Sequence, residues 1–100
     1  MFIVLLHYLQ PLTVVEQHLA EHRAFLDRHY AAGHFVASGP QVPRIGGAIL
    51  ARGLSRRELD AVLAQDPFHR EKVAQYQVIE FEPNRFAAGA QAALLGELAA

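Results

Sequence analysis

Residues 2–9 read FIVLLHYL, and positions 2–6 within them are five large apolar residues in a row. Such a run is too short for a buried helix and fits a strand covered on both faces. A strand sends successive side chains to opposite sides, so Phe2, Val4 and Leu6 point one way and Ile3 and Leu5 the other. Any fold of this chain must lay apolar material against both. The chain has 100 residues, 52% of them apolar, which is enough for one domain with its own core. A domain of this size buries roughly two-thirds of the surface its unfolded chain exposes, so no metal or disulfide staple is required. Cysteine is absent, which excludes disulfide frameworks, thiolate zinc sites and cysteine nucleophiles. Nine Lys and Arg against ten Asp and Glu leave no basic excess for nucleic acid or an anionic membrane surface. The apolar run at 2–6 is also too short for a membrane span and lacks the basic flank of a signal peptide. A soluble, cytoplasmic domain is expected, with neither nucleic acid nor membrane as partner.

Pro11 ends the first strand. Thr13-Val14-Val15-Glu16 has the form of a capping box, in which hydroxyl and carboxylate satisfy orphan backbone donors. Val15, Leu19, His22, Leu26 and Tyr30 then recur at helical spacing, and Gly33 is placed to stop that helix. Residues 34–38 (HFVAS) read as a second strand, broken by Gly39-Pro40. A loop over 41–45 leads through Gly46-Gly47, read as a turn, into a third strand over 48–52. Ser55 to Glu58 repeats the capping-box pattern, and Leu59, Val62 and Leu63 give the second helix its apolar face. Asp66-Pro67 starts a fresh helical turn, Asp as N-cap and Pro at the first helical position. Residues 76–82 read as a fourth strand, stopped by Pro83-Asn84. The expected domain is 1–86, followed by an Ala-rich tail over 87–100 that Gly89 and Gly96 limit to a loose helix.

This order, β-α-β-β-α-β, is the ferredoxin-like split βαβ arrangement: an α+β fold with two helices on one face of a four-stranded antiparallel sheet. Two helices cannot cover both faces of the first strand. A second subunit laying its sheet against this one can, so a homodimer through the sheet is expected.

His22 interrupts the apolar stripe of the first helix and so faces the sheet. It is either a core histidine satisfied by a backbone carbonyl or a partly desolvated base able to work near neutral pH. His18 and His22 share a helix face, yet no third ligand converges on them, and Glu21 points elsewhere. No metal site and no cofactor is expected, with His18 and His29 read as solvated. Arg44 is either a solvated loop arginine or a fork for a substrate carboxylate. Gly39 and Pro40 shape the strand end and let a ligand approach the backbone. Gly46-Gly47 suit a turn better than a phosphate, since no helix follows them directly. Tyr8, Phe68 and Tyr76 either line a small pocket or belong to the core. Ser38 and Ser55 are the only serines, and Ser55 is taken up as a cap, so no Ser-His-Asp triad can be drawn.

Three short motifs in order, AEHRAFLD with His22, Ser38-Gly39-Pro40 and Asp66-Pro67-Phe68, together with the PRIGG loop over 43–47, resemble the YciI-like (YCII-related) family of the dimeric α+β barrel superfamily. The resemblance covers residues 1–86. It implies a homodimer and an active-site pair carried here onto His22 and Asp66. In such a pair a carboxylate fixes one imidazole nitrogen and leaves the other free for a substrate proton. That role is compatible with Asp66 as an N-cap, because a carboxylate has two oxygens. One departure is Lys72, where similar sequences often carry Gly after the DPF turn. Within the family an elimination of the dehydrochlorinase type has been attributed, and related barrels include lactone isomerases and small monooxygenases. The reading is therefore a cofactor-independent enzyme transferring a proton in an isomerisation or an elimination on a small-molecule ligand. Its catalytic pair is His22 and Asp66, and its candidate substrate-binding residues are Ser38, Gly39, Pro40, Arg44 and Phe68. The alternative is a non-catalytic dimeric ligand-binding or accessory module, which needs the pocket but not the pair.

Overall fold

The computed structural model describes residues 1–96. Strands β1 (Phe2–Tyr8), β2 (Phe35–Pro40), β3 (Gly46–Ala51) and β4 (Ala74–Glu80) form one antiparallel sheet in the order β2-β3-β1-β4. The helices are α1 (Leu12–Gln17), α2 (Leu19–Ala31), α3 (Arg56–Leu63), the four-residue α4 (Pro67–Arg70) and α5 (Ala90–Leu95). This is the α+β ferredoxin-like fold. The doubly apolar segment takes the central position, where β3 and β4 pair with its two edges.

Phe2, Val4 and Leu6 of β1 are buried and share one core with Ile49 and Ala51 of β3, Phe25 of α2 and Leu59 of α3. The helices therefore cover the face that carries the even-numbered residues of β1. On the opposite face Ile3, Leu5 and Leu50 are only half-buried and Ile79 is 40% exposed. Among the described residues no helix is long and apolar enough to cross a membrane.

Several local expectations need correcting, each for a physical reason. The expected continuous helix is interrupted at His18, whose backbone (φ −107°, ψ 3°) leaves helical geometry between α1 and α2. Helix α1 starts one residue ahead of Thr13, with Pro11 in the cap position and no side-chain cap bond. Thr13 is thus already inside the helix, and its capping box does not form. The break also shifts the helical phase. The buried positions of α2 are Phe25 and His29, while Tyr30 is exposed. The box at Ser55 does form: Glu58 N donates to Ser55 Oγ (3.1 Å) and Ser55 N to Glu58 Oε1 (2.9 Å). The bond from the Ser55 backbone, followed by that from its hydroxyl, holds the Glu58 carboxyl below its ordinary value.

Gly39-Pro40 does not break β2 but lies within it, paired with Ala48 and Gly47. Proline is tolerated there because β2 is an edge strand. Gly46-Gly47 is likewise not a turn but the start of β3, opposite His7 and Leu6. Gly46 is required by close approach, since a Cβ at this position would be driven into the Leu6 carbonyl. The chain reverses just before it, over residues 41–45, where Gln41 Nε2 donates to the carbonyls of Leu6 and Gly47 (3.1 Å each). Strand β4 begins and ends two residues earlier than expected. In the tail, Gly89 and Gly96 do not interrupt the helix. They bracket α5 in left-handed conformations (φ 79° and 70°), and Arg52 Nη1 donates to Leu94 O (3.3 Å). Positions 97–100 of the expected tail lie outside the described residues.

Gly46→Ala is expected to lower the unfolding free energy by at least the ~1–3 kcal/mol of an overpacked core. Gly39→Ala, with open space around its Cβ, is expected to stay within about 0.5 kcal/mol of the parent. Denaturant unfolding of the two variants side by side checks the contrast.

Candidate active site

Asp66 follows α3 and caps α4 from an extended backbone (φ −69°, ψ 127°), with Pro67 at the first helical position. Its Oδ1 accepts from Phe68 N at 3.0 Å. The same oxygen lies 2.8 Å from His22 Nδ1, and Oδ2 accepts from the Tyr76 hydroxyl at 2.5 Å. The residue has no accessible surface. A buried carboxylate must have its lone pairs met, and here three elements meet them: the α4 backbone, α2 and β4. Burial first, and then the adjacent Asp66 carboxylate, push the Tyr76 hydroxyl well above its ordinary range. Tyr76 therefore stays protonated and acts as the donor to Oδ2.

His22 reaches Asp66 from α2, its side chain 12% exposed. Its ring lies flat on Phe68, with centroids 4.0 Å apart and planes at 4°. In the tautomer that donates from Nδ1 to this oxygen, Nε2 is left as the acceptor. Nε2 has no hydrogen-bond partner among the described residues, and His22 lines a cavity of about 460 Å³.

The turn that presents Phe68 is closed by Lys72, whose φ of 54° is left-handed. Lys72 N bonds to His69 O (3.2 Å) and Val73 N to Phe68 O (2.9 Å). Those two bonds are the pattern that usually ends a helix at glycine. Lysine here keeps the geometry at a backbone cost of about 1–2 kcal/mol.

The cavity exists because side-chain bulk changes along the helix-facing side of the sheet. Phe2 and Phe35 fill one end beneath Phe25, whereas Ser38, Pro40 and Gly47 carry little toward the other. Leu6, Leu19 and Leu26 supply apolar wall, with Tyr8 set edge-on against Phe68 (6.2 Å, 88°). The residues expected from sequence to bind substrate, Ser38, Gly39, Pro40, Arg44 and Phe68, all line this cavity, and Asp66 stands behind His22. Ser38 Oγ is 2.6 Å from the Tyr30 hydroxyl, and Arg44 Nη1 is 3.6 Å from Glu16 Oε1.

Sequence reasoning missed two things and misread a third. Tyr76 does not line the cavity; it is a partner of Asp66, placed by its register opposite Leu6. Arg23 lines the cavity and stands in the sequence with nothing to single it out from the other charged residues of the helix. His29, expected in solvent, is buried, with Nδ1 3.2 Å from His34 Nδ1 and Nε2 3.0 Å from Gln65 Oε1. Among the described residues no three His, Asp or Glu side chains gather as metal ligands.

Fold and topology define an α+β protein of the ferredoxin-like class. Over residues 1–82 the chain matches the YCII-related domain family, and it belongs to that family. No curated protein matches it. Among solved structures it is similar to 5-chloro-2-hydroxyhydroquinone dehydrochlorinase (TftG) from Burkholderia phenoliruptrix AC1100, in complex with 2,5-dihydroxybenzoquinone. The two share 19% identity with a TM-score of 0.69, over 84% of this chain and 96% of that one. At that identity the likeness is one of fold.

Tyr76→Phe keeps the ring and deletes the donor to Asp66 Oδ2. The variant is expected to lose about 1–3 kcal/mol of unfolding free energy, the cost of an unmet buried acceptor. Chemical denaturation measures it.

Proposed function

We propose that the protein is a small-molecule enzyme that moves a proton, with His22 as the base and then the acid and Asp66 as its orienting partner. The observation that carries this reading is a ring held at Nδ1 by a fully buried carboxylate while the same ring lines an apolar cavity. The substrate class is a small, largely apolar, ring-sized molecule with an acidic C–H or O–H, and a volume of about 460 Å³ lies within the usual range for ligand pockets. His22 Nε2 takes the proton, and the imidazolium so formed is stabilised by the Asp66 carboxylate at Nδ1. In an elimination, the electrons of the broken C–H bond form a C=C bond and the leaving group departs with its bonding pair. In an isomerisation, the imidazolium returns the proton to a different carbon. Neither reaction needs a redox partner. The dehydrochlorinase named among the structural neighbours supports the elimination branch. We assign this chemistry to residues 1–86 and treat 87–100 as an appendage.

A screen of small lactones, quinols and halogenated phenols tests the reading, run on the parent, His22→Gln, Asp66→Asn and the double variant. Asn in place of Asp66 can keep its oxygen toward Phe68 N and His22 Nδ1 and turn its amide to Tyr76, whose hydroxyl can accept. The fold and the tautomer are therefore expected to survive, and only the negative charge is lost. In a serine-protease triad the same replacement costs about four orders of magnitude in turnover, there because it also sets the wrong tautomer. A smaller loss is expected here, with the double variant little worse than either single one because the two act as a unit. Fully additive losses would show an uncoupled pair. Equal ligand affinity in all four proteins, with no turnover of any compound, would instead establish a binding module.

We further propose that the open face of the sheet, with Ile3, Leu5, Leu50 and Ile79, is covered by a second copy of this chain. Leu5→Glu places a charge on that face and is expected to convert a dimer to monomer or aggregate in sedimentation experiments. Buried apolar side chains of this kind contribute ~1.5–3 kcal/mol each. A parent protein that sediments as a stable monomer at micromolar concentration would refute the pairing.

A further inference from the structure

Among the described residues the charged side chains lining the cavity are Arg23 from α2 and Arg44 from the loop after β2, and no acidic one lines it. Arg23 makes no ion pair and no side-chain hydrogen bond among the described residues. By contrast Arg56 and Arg70 are engaged by Asp60 (3.0 Å) and Glu21 (3.2 Å). Arg44 has only Glu16 beside it, at 3.6 Å, beyond hydrogen-bond reach and with both side chains more than a third exposed. Asp66 makes no ion pair with either cation: its oxygens are bonded to Phe68 N, His22 and Tyr76. The cavity thus combines apolar walls with two guanidinium groups short of partners. Low-dielectric walls concentrate such a field, and a guanidinium fork matches a carboxylate in a bidentate arrangement.

We infer that the ligand is a small apolar carboxylate, its ring or chain against Leu6, Leu19 and Leu26 and its carboxylate held by Arg23 and Arg44. The inference rests on the proposed function for the location of the site but not for the reaction performed there. Glu16 is then a competitor that the ligand displaces from Arg44.

Pairs of probes that differ in charge and little in shape test this: benzoate against benzamide, and cyclohexanecarboxylate against cyclohexanecarboxamide. Affinities are read by NMR titration at low and high salt, with no turnover needed. Each acid is expected to bind about ten-fold or more tightly than its amide, with the advantage shrinking in high salt. Arg23→Gln and Arg44→Gln each reduce the advantage and together remove it. Glu16→Gln, at an exposed position, tightens acid binding, and His22→Gln leaves the preference in place. Equal affinity of acid and amide, a preference that survives the double arginine substitution, or no binding of either acid at millimolar concentration would overturn the inference. A carboxylate preference without turnover of any screened compound leaves this inference standing and removes the enzyme. Turnover of neutral quinols without a carboxylate preference does the reverse.

Discussion

The carboxylate of Asp66 sits out of reach of water with no lysine or arginine against it, and much of the molecule is arranged around that fact. An ion in such a place is costly unless its lone pairs are met. They are met by a backbone amide, a phenol and an imidazole from three separate elements. The residue therefore does more than start α4. It fixes how far α2 stands from the start of α4, and it ties both to β4 through Tyr76. His22 inherits its orientation from this cluster, and Phe68 supplies both an amide to Asp66 and a flat surface for the imidazole. Misplacing the DPF turn would disturb the caps, the layer spacing and the ring together.

What the sequence made legible was whatever is local. The apolar run in β1, the Ser55 box and the Asp66-Pro67 start follow from neighbours a few residues apart, and they suffice for the order of elements and the ferredoxin-like arrangement. Misreadings came where a distant segment decides. Gly39-Pro40 and Gly46-Gly47 look like punctuation, yet both lie in strands. The first is tolerated by an edge position, and the second is demanded by the Leu6 carbonyl, some forty residues away in the chain. His18 carries no glycine or proline signal for the break it sits in, so the apolar stripe was carried across it and the burial of His29 went unread.

The site follows the same division. His22 and Asp66 stand in short motifs and could be named, but the phenol of Tyr76 reaches Asp66 only through the pairing of β1 with β4. Arg23 is one more charged residue on an exposed turn of helix until the fold places it beside the cavity. Lys72 is instructive in another way. A left-handed backbone usually answers to glycine, and this chain holds it with a lysine.

The gradient of bulk that opens the cavity separates two kinds of inheritance. The cluster around Asp66 is written in α2, α4 and β4, whereas the emptiness beside it is written in β2, β3 and their connecting loop. A Cβ added at Gly47, on the helix-facing side of the sheet, meets nothing closer than 3.4 Å. Carbon can therefore be added to the floor one atom at a time without touching any bond to Asp66. A lineage of such chains can drift in the shape of its cavity while the contact between His22 and Asp66 stays fixed.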